Sequence, residues 1–135
     1  MDNLTPEQRG RQMARVRGKD TRPEMAVRRL VFSMGYRYRL HDARLPGTPD
    51  LVFPGRGKVL FVHGCFWHRH TNCELARLPK SRLDFWLPKL EGNRKRDLKN
   101  QRLLRKSGWR IWVVWECELR DMDKLSRRIR RFLEA

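Results

Sequence analysis

No apolar run in these 135 residues is long enough to cross a membrane, and the first twenty hold no secretory-type apolar core. The chain is therefore expected to stay in the cytosol and to work away from membranes. Acidic residues are scarce, 15 Asp and Glu against 32 Lys and Arg, a formal charge of +17. Solubility needs only a modest excess, so a field this strong points to a polyanion, nucleic acid above all. A membrane surface is the other anionic partner, but no long basic helix with an unbroken apolar face stands out. Cysteine is limited to three residues. In a reducing compartment these suit a metal better than disulfides. Repeats, low-complexity segments and linkers are absent, so 1–135 reads as one domain. Its first twenty residues form a polar, basic arm, in which Met13 and Val16 are isolated among charges.

What is present reads as alternating helices and strands. Thr21-Arg22-Pro23-Glu24 is a helix start, with Thr21 as cap, Pro23 in the first turn and Glu24 at capping-box spacing. Met25, Leu30, Val31 and Met34 form its apolar stripe, which ends at Gly35. Residues 36–40 alternate as a half-exposed strand would. Asp50-Leu51-Val52-Phe53 and Lys58-Val59-Leu60-Phe61-Val62-His63, joined by a glycine-containing turn, read as a hairpin. A long helix is expected over 81–107, capped by Ser81 and Asp84, with Pro88 marking a break or kink. Residues 110–117 form a buried strand, and a basic amphipathic helix follows from about Asp121. Helices flanking a small mixed sheet make an α/β or α+β sandwich.

The densest chemistry lies in His63-Gly64-Cys65-Phe66-Trp67-His68-Arg69-His70-Thr71-Asn72-Cys73, which holds three of the four histidines and two of the three cysteines. Cys65, His70 and Cys73, joined by Cys117 from the last strand, make three thiolates and one imidazole, a closed set for structural zinc. His63 and His68 remain. In a hairpin the Asp50 and His63 ends are adjacent, and a carboxylate there suits a hard cation such as Mg²⁺. Imidazoles beside it can bind phosphate or move a proton near neutral pH. With Glu24 they suit metal-assisted phosphodiester hydrolysis, although Glu24 also serves as a helix cap and Asp50 as a turn residue. His68 can equally be a spare zinc ligand. Asp97, amid cations, is either an ion-pair partner or the group that orients an imidazole. Phe66 and Trp67 either wedge between base pairs or pack over the zinc loop. Met13 raises the same question from the arm.

From Met13-Ala14-Arg15-Val16, through Leu45-Pro46-Gly47-Thr48-Pro49-Asp50 and His63-Gly64-Cys65-Phe66-Trp67-His68, to Val114-Trp115-Glu116-Cys117, the chain resembles the very-short-patch repair (Vsr-type) DNA mismatch endonucleases. The resemblance also takes in Phe85-Trp86, the stretch 93–97 and Gly108-Trp109-Arg110. It implies a restriction-endonuclease-like fold and a single-strand nick beside a T:G mismatch in double-stranded DNA, of the kind left when 5-methylcytosine deaminates. By that resemblance Asp50 and the Val62 carbonyl bind magnesium, as one of two ions. His63 and His68 work at the scissile phosphate, His68 as general base, and Glu24 and Asp97 support them. Cys65, His70, Cys73 and Cys117 hold zinc. Phe66 and Trp67 enter the DNA, and Met13 enters from the other side. A monomer is expected, in contact with general mismatch-repair proteins. The wider nuclease pattern places an acidic-x-Lys element after Pro-Asp. Here Phe61-Val62-His63 stands in its place, a replacement the narrower family shares. The competing readings are a less specific restriction-type nickase and a zinc-stapled DNA binder without catalysis.

Overall fold

The computed structural model describes residues 20–135. Four strands form one sheet in sequence order: β1 (Arg39–Leu40), β2 (Leu51–Phe53), β3 (Lys58–His63) and β4 (Arg110–Trp115). The first three run antiparallel, and β4 runs parallel to β3. Among the described residues three helices cover the sheet: α1 (Arg22–Ser33), α2 (Leu83–Lys106) and α3 (Met122–Glu134).

The β2–β3 hairpin forms as its sequence indicates, with Leu51 opposite Leu60 and Val52 opposite Val59. Its turn is a short 3-10 segment, Pro54–Arg56, closed by Gly57 at φ +66°, where a side chain would be strained. Strand alternation sorts the side chains onto two cores. Leu51, Phe53 and Leu60 join Val27 and Val31 of α1 and Leu125, Ile129 and Leu133 of α3. Val52, Val59 and Phe61 face the other way, with Leu104 of α2. By the same parity His63 lies on the α2 side, and Lys58 on the α3 side. Lys58 is 3% exposed, and its ammonium donates to the carbonyls of Leu133 (3.0 Å) and Ala135 (2.7 Å), which closes the end of α3.

Thr21 caps α1, its hydroxyl accepting from the Glu24 amide at 3.3 Å. The return half of the capping box is displaced by one residue. Glu24 accepts from the amide of Asp20 (3.1 Å) instead of that of Thr21. Several local expectations change. The strand expected over 36–40 shrinks to two residues. The long helix starts at Leu83 after Arg82 in a left-handed conformation, with no side-chain cap, so Ser81 and Asp84 do not cap it. Pro88 leaves that helix continuous. It falls in the second turn, where the carbonyl it orphans belongs to exposed Asp84 and meets water. Cys117 sits in a 3-10 turn, Glu116–Arg120, just past β4 rather than on it. Among the described residues no helix is long and apolar enough to cross a membrane.

Candidate active site

The C-terminal end of β3 opens into a cleft of about 950 Å³ whose lining includes Glu24, Asp50, His63, His68 and Asp97. Five residues singled out in the sequence thus meet, from α1, the start of β2, the end of β3, the following loop and α2. Gly47, in the loop before Asp50, explains part of the fit. It stands at φ +78°, and a Cβ there would meet Asn100 of α2 at 3.0 Å and the Phe61 ring at 3.3 Å. That close approach seats the Asp50 loop against both β3 and α2.

Asp50 accepts a hydrogen bond from the Val62 amide at 2.7 Å across the hairpin. Burial raises its carboxyl to about 7, the Val62 amide opposing and neighbouring Glu24 adding to the rise. The usual value is 3.8, so ionised Asp50 costs the fold nothing below about pH 4. The cost grows between pH 4 and 7 and is complete above that. At roughly 1.4 kcal/mol per pH unit, a rise of this size is worth about 4 kcal/mol. Asparagine accepts the Val62 amide more weakly, so Asp50→Asn is expected to gain about 2 kcal/mol at pH 8 and almost nothing at pH 4.5. Urea unfolding at the two pH values, without added magnesium, checks this. A variant no more stable than the native protein at pH 8 would refute it.

His63 is 4% exposed, and its ring stacks on His68 at 3.8 Å and 8°. Burial, and then the His68 ring, hold its imidazole well below the usual histidine value. It is therefore neutral at neutral pH, and its buried Nδ1 has no hydrogen-bond partner among the described residues. His68 Nδ1 lies 2.5 Å from the Asp97 carboxylate. A carboxylate only accepts, so Nδ1 carries a proton, which in the neutral ring leaves the lone pair on Nε2. Four residues earlier on the same face of α2, Asn93 donates to the Trp67 carbonyl at 3.2 Å. The helix thus grips the loop twice. Asp97 thus has an imidazole, that of His68, as its partner.

Beside this cleft the ligand atoms of Cys65, His70, Cys73 and Cys117 lie within 4.8 Å of one another. The His70 Nδ1 is 3.5 Å from the sulfur of Cys65 and 3.5 Å from that of Cys117. A tetrahedral zinc ion with bonds of about 2.3 Å to sulfur and about 2.05 Å to nitrogen puts S and N about 3.6 Å apart, so the donor set fits. Burial first of all pushes the Cys65 thiol up to about 12, a cost that a divalent cation reverses. His68 stands apart from this set and pairs with Asp97, so it is no spare ligand. Glu116 accepts from the Cys65 amide at 3.2 Å, and the His70 ring stacks on Trp115 at 4.1 Å.

Phe66 and Trp67 stand edge to face at 5.1 Å, half-buried, and Trp86 of α2 completes the cluster at 5.4 and 5.8 Å. Phe85, 46% exposed, extends it. Met13 and most of the basic arm lie outside the described residues. Two contributors are given no role by the linear pattern. Trp86 joins the aromatic cluster only because α2 crosses the loop. His41, the fourth histidine, sits far from the dense motif and reaches Glu24 at 2.7 Å through the fold.

Comparison with known proteins places the chain. Residues 1–75 match the family described as DNA mismatch endonuclease Vsr. The chain is 57% identical to the type II nicking enzyme V.XorIIP of Xanthomonas oryzae pv. oryzae, over 98% of this chain and 97% of that protein. It is 41% identical to the DNA mismatch endonuclease Vsr of Escherichia coli, over 87% of this chain and 75% of that protein. The catalytic domain of the homing endonuclease I-Bth0305I superposes with a TM-score of 0.56 at 19% identity, covering 84% of this chain and 94% of that one. That likeness supports the restriction-endonuclease-like α/β fold. The binding-only reading is set aside, because the relatives cut DNA. The chain belongs to the Vsr family of DNA mismatch endonucleases and is a DNA endonuclease.

Proposed function

We propose that this endonuclease nicks one strand beside the thymine of a T:G mismatch by magnesium-dependent phosphodiester hydrolysis, the opening step of very-short-patch repair. The observation that carries the reading is the His68–Asp97 pair stacked on neutral His63, in the cleft that Asp50, Phe66 and Trp67 also line. Asp50 supplies a hard oxygen donor, and a cation there would offset the cost of ionising a carboxylate this buried, with Glu24 as its support. Magnesium held by Asp50 and the Val62 carbonyl, with a second ion beside it, would polarise the scissile phosphate and offset charge on the departing oxygen.

The chain's own groups do the rest. Asp97 fixes the His68 tautomer, and Nε2 takes the proton of the attacking water. His63, neutral and held by stacking, offers a hydrogen bond to the phosphate. Cys65, His70, Cys73 and Cys117 hold zinc, which pins the loop that carries both His68 and the aromatic pair. Phe66 and Trp67 wedge into the stack, and Met13 enters from the other side. Unstacking costs about a few kcal/mol, and less at a mispaired step, so wedging favours a mismatch without reading every base. The basic surface contacts phosphates and makes binding steeply salt-dependent. On this reading 1–135 is one domain whose first twenty residues contact DNA. It acts as a cytoplasmic monomer on nucleoid DNA, beside general mismatch-repair proteins.

Nicking of a duplex with one T:G pair, set against its C:G twin, tests the proposal. Cutting confined to the T:G duplex supports it. Equal cutting of both identifies a less specific restriction-type nickase.

A further inference from the structure

Glu24 is buried, with 1% of its surface exposed, yet it carries no apolar role. Its carboxylate collects three donors. The Asp20 amide reaches one oxygen at 3.1 Å. The other oxygen takes Arg28 at 3.3 Å and the His41 Nε2 at 2.7 Å. Asp20, Glu24 and His41 would pass for a cation site on spacing alone, since their ligand atoms lie within 4.8 Å. The charge balance argues otherwise. The Arg28 guanidinium, 2.7 Å from Asp20, already supplies the positive charge that a cation would bring. The cluster is a closed clamp around one carboxylate.

His41 differs from the other two donors in where it stands. The β1–β2 ladder pairs Leu40 with Leu51, so the next residue, His41, falls opposite Asp50. Its amide donates to the Asp50 carbonyl at 3.2 Å. One residue therefore touches the main chain of Asp50 and the side chain of Glu24. It does so at φ +46°, a left-handed conformation rare outside glycine, and Asp20 on the other side of Glu24 stands at φ +62°. Strain of this kind persists only where surrounding contacts hold it.

We propose that His41 is a positioning residue for the nicking reaction: its Nε2–H holds the Glu24 carboxylate at a fixed place beside Asp50. The inference rests on reading this cleft as the nicking centre. Without the bond from His41, Glu24 keeps Arg28 and the Asp20 amide on its own helix end. It loses the tie that runs through His41 to the main chain of Asp50. The buried carboxylate then shifts toward Arg28, and the two acids no longer share a set spacing. An ångström of misplacement at a reacting centre can cost about a hundredfold in rate.

The test is single-turnover nicking at saturating DNA, on whichever duplex the native protein cuts, for His41→Leu, His41→Gln, Glu24→Gln and the Glu24→Gln/His41→Leu double variant. Glutamine places an amide N–H where Nε2–H now sits, and leucine does not. His41→Leu is expected to slow nicking by about ten- to a hundredfold, with DNA Kd within about twofold and a melting temperature lower by about several degrees, since a buried carboxylate loses one of its three donors. His41→Gln should recover to within about threefold of native, and His41→Leu should add nothing in the Glu24→Gln background. Three outcomes overturn the proposal: His41→Leu at the native rate, His41→Gln no better than His41→Leu, or a full His41→Leu loss on top of Glu24→Gln. Loss of mismatch preference with this pattern intact would count against the T:G reading alone, and the clamp would stand.

Discussion

Nicking by His68→Ala is expected to fall by about 10²–10⁴-fold at saturating DNA, the range a general base contributes. The ring sits in the cleft with Nδ1 bound to Asp97 at 2.5 Å and its face on His63 at 3.8 Å. Alanine removes the proton acceptor and uncovers one face of a buried, neutral imidazole. Asp97→Asn is the sharper version of the same prediction. It keeps shape and packing, but its amide can donate to Nδ1 and so push the proton onto Nε2, the atom that must accept. In the catalytic triad of serine proteases, where a buried aspartate orients a histidine in the same way, that exchange costs about 10⁴ in kcat. Here, with the metal doing part of the work, a loss of about 10²–10³ is expected. Rates are read under single turnover, with DNA affinity measured in parallel. An Asp97→Asn enzyme within about threefold of native would show that the pair is only a salt bridge.

Loss of zinc should be the second large effect. Residues 65–76 contain almost no regular structure beyond one 3-10 turn, Glu74–Ala76, and few buried side chains. Their order relies on the four ligands, the Asn93 and Asp97 contacts and the bond from the Cys65 amide to Glu116. Native protein is expected to carry one zinc per chain. Cys117→Ser should lose it, because that ligand alone joins the loop to the end of β4. Zinc contributes roughly 10–16 kcal/mol to peptides folded wholly around it. This chain keeps two hydrophobic cores without it. The expected penalty is therefore smaller, about 3–5 kcal/mol, with nicking down by more than about a hundredfold as His68 and the Phe66–Trp67 edge leave their places. Elemental analysis, urea unfolding and nicking on one preparation check all three. Zinc-free native protein, or an active Cys117→Ser, would refute this role for the loop.

Much of the fold is legible in the chain because local rules and tertiary demands agree. The Thr21 cap, the β2–β3 hairpin and the apolar face of α3 each follow from spacing over a few residues. The cluster of Cys65, His70, Cys73 and Cys117 is legible for a different reason: cysteine and histidine at a sheet end have little packing use, so their density stands out. What stays hidden depends on contacts across the chain. The parallel pairing of β3 with β4 joins residues about fifty apart, and no local signal marks it. Pro88 reads as a break, because a pattern cannot show that the orphaned carbonyl is exposed. Asp97 looks like one acid in a solvated basic face until the loop is seen to lie against it. His41 follows a two-residue strand too short to establish a register, so its place opposite Asp50 is invisible in the sequence.

Strand-resolved, single-turnover cleavage of paired duplexes that differ only at one position, T:G or C:G, with magnesium and in several flanking contexts, probes the mismatch nick itself. One nick is expected, in the strand that holds the mismatched thymine and adjacent to it, in at least one context, with no comparable cut in any C:G duplex. Cuts of equal rate in both duplexes, or in the guanine strand, would contradict the proposed activity.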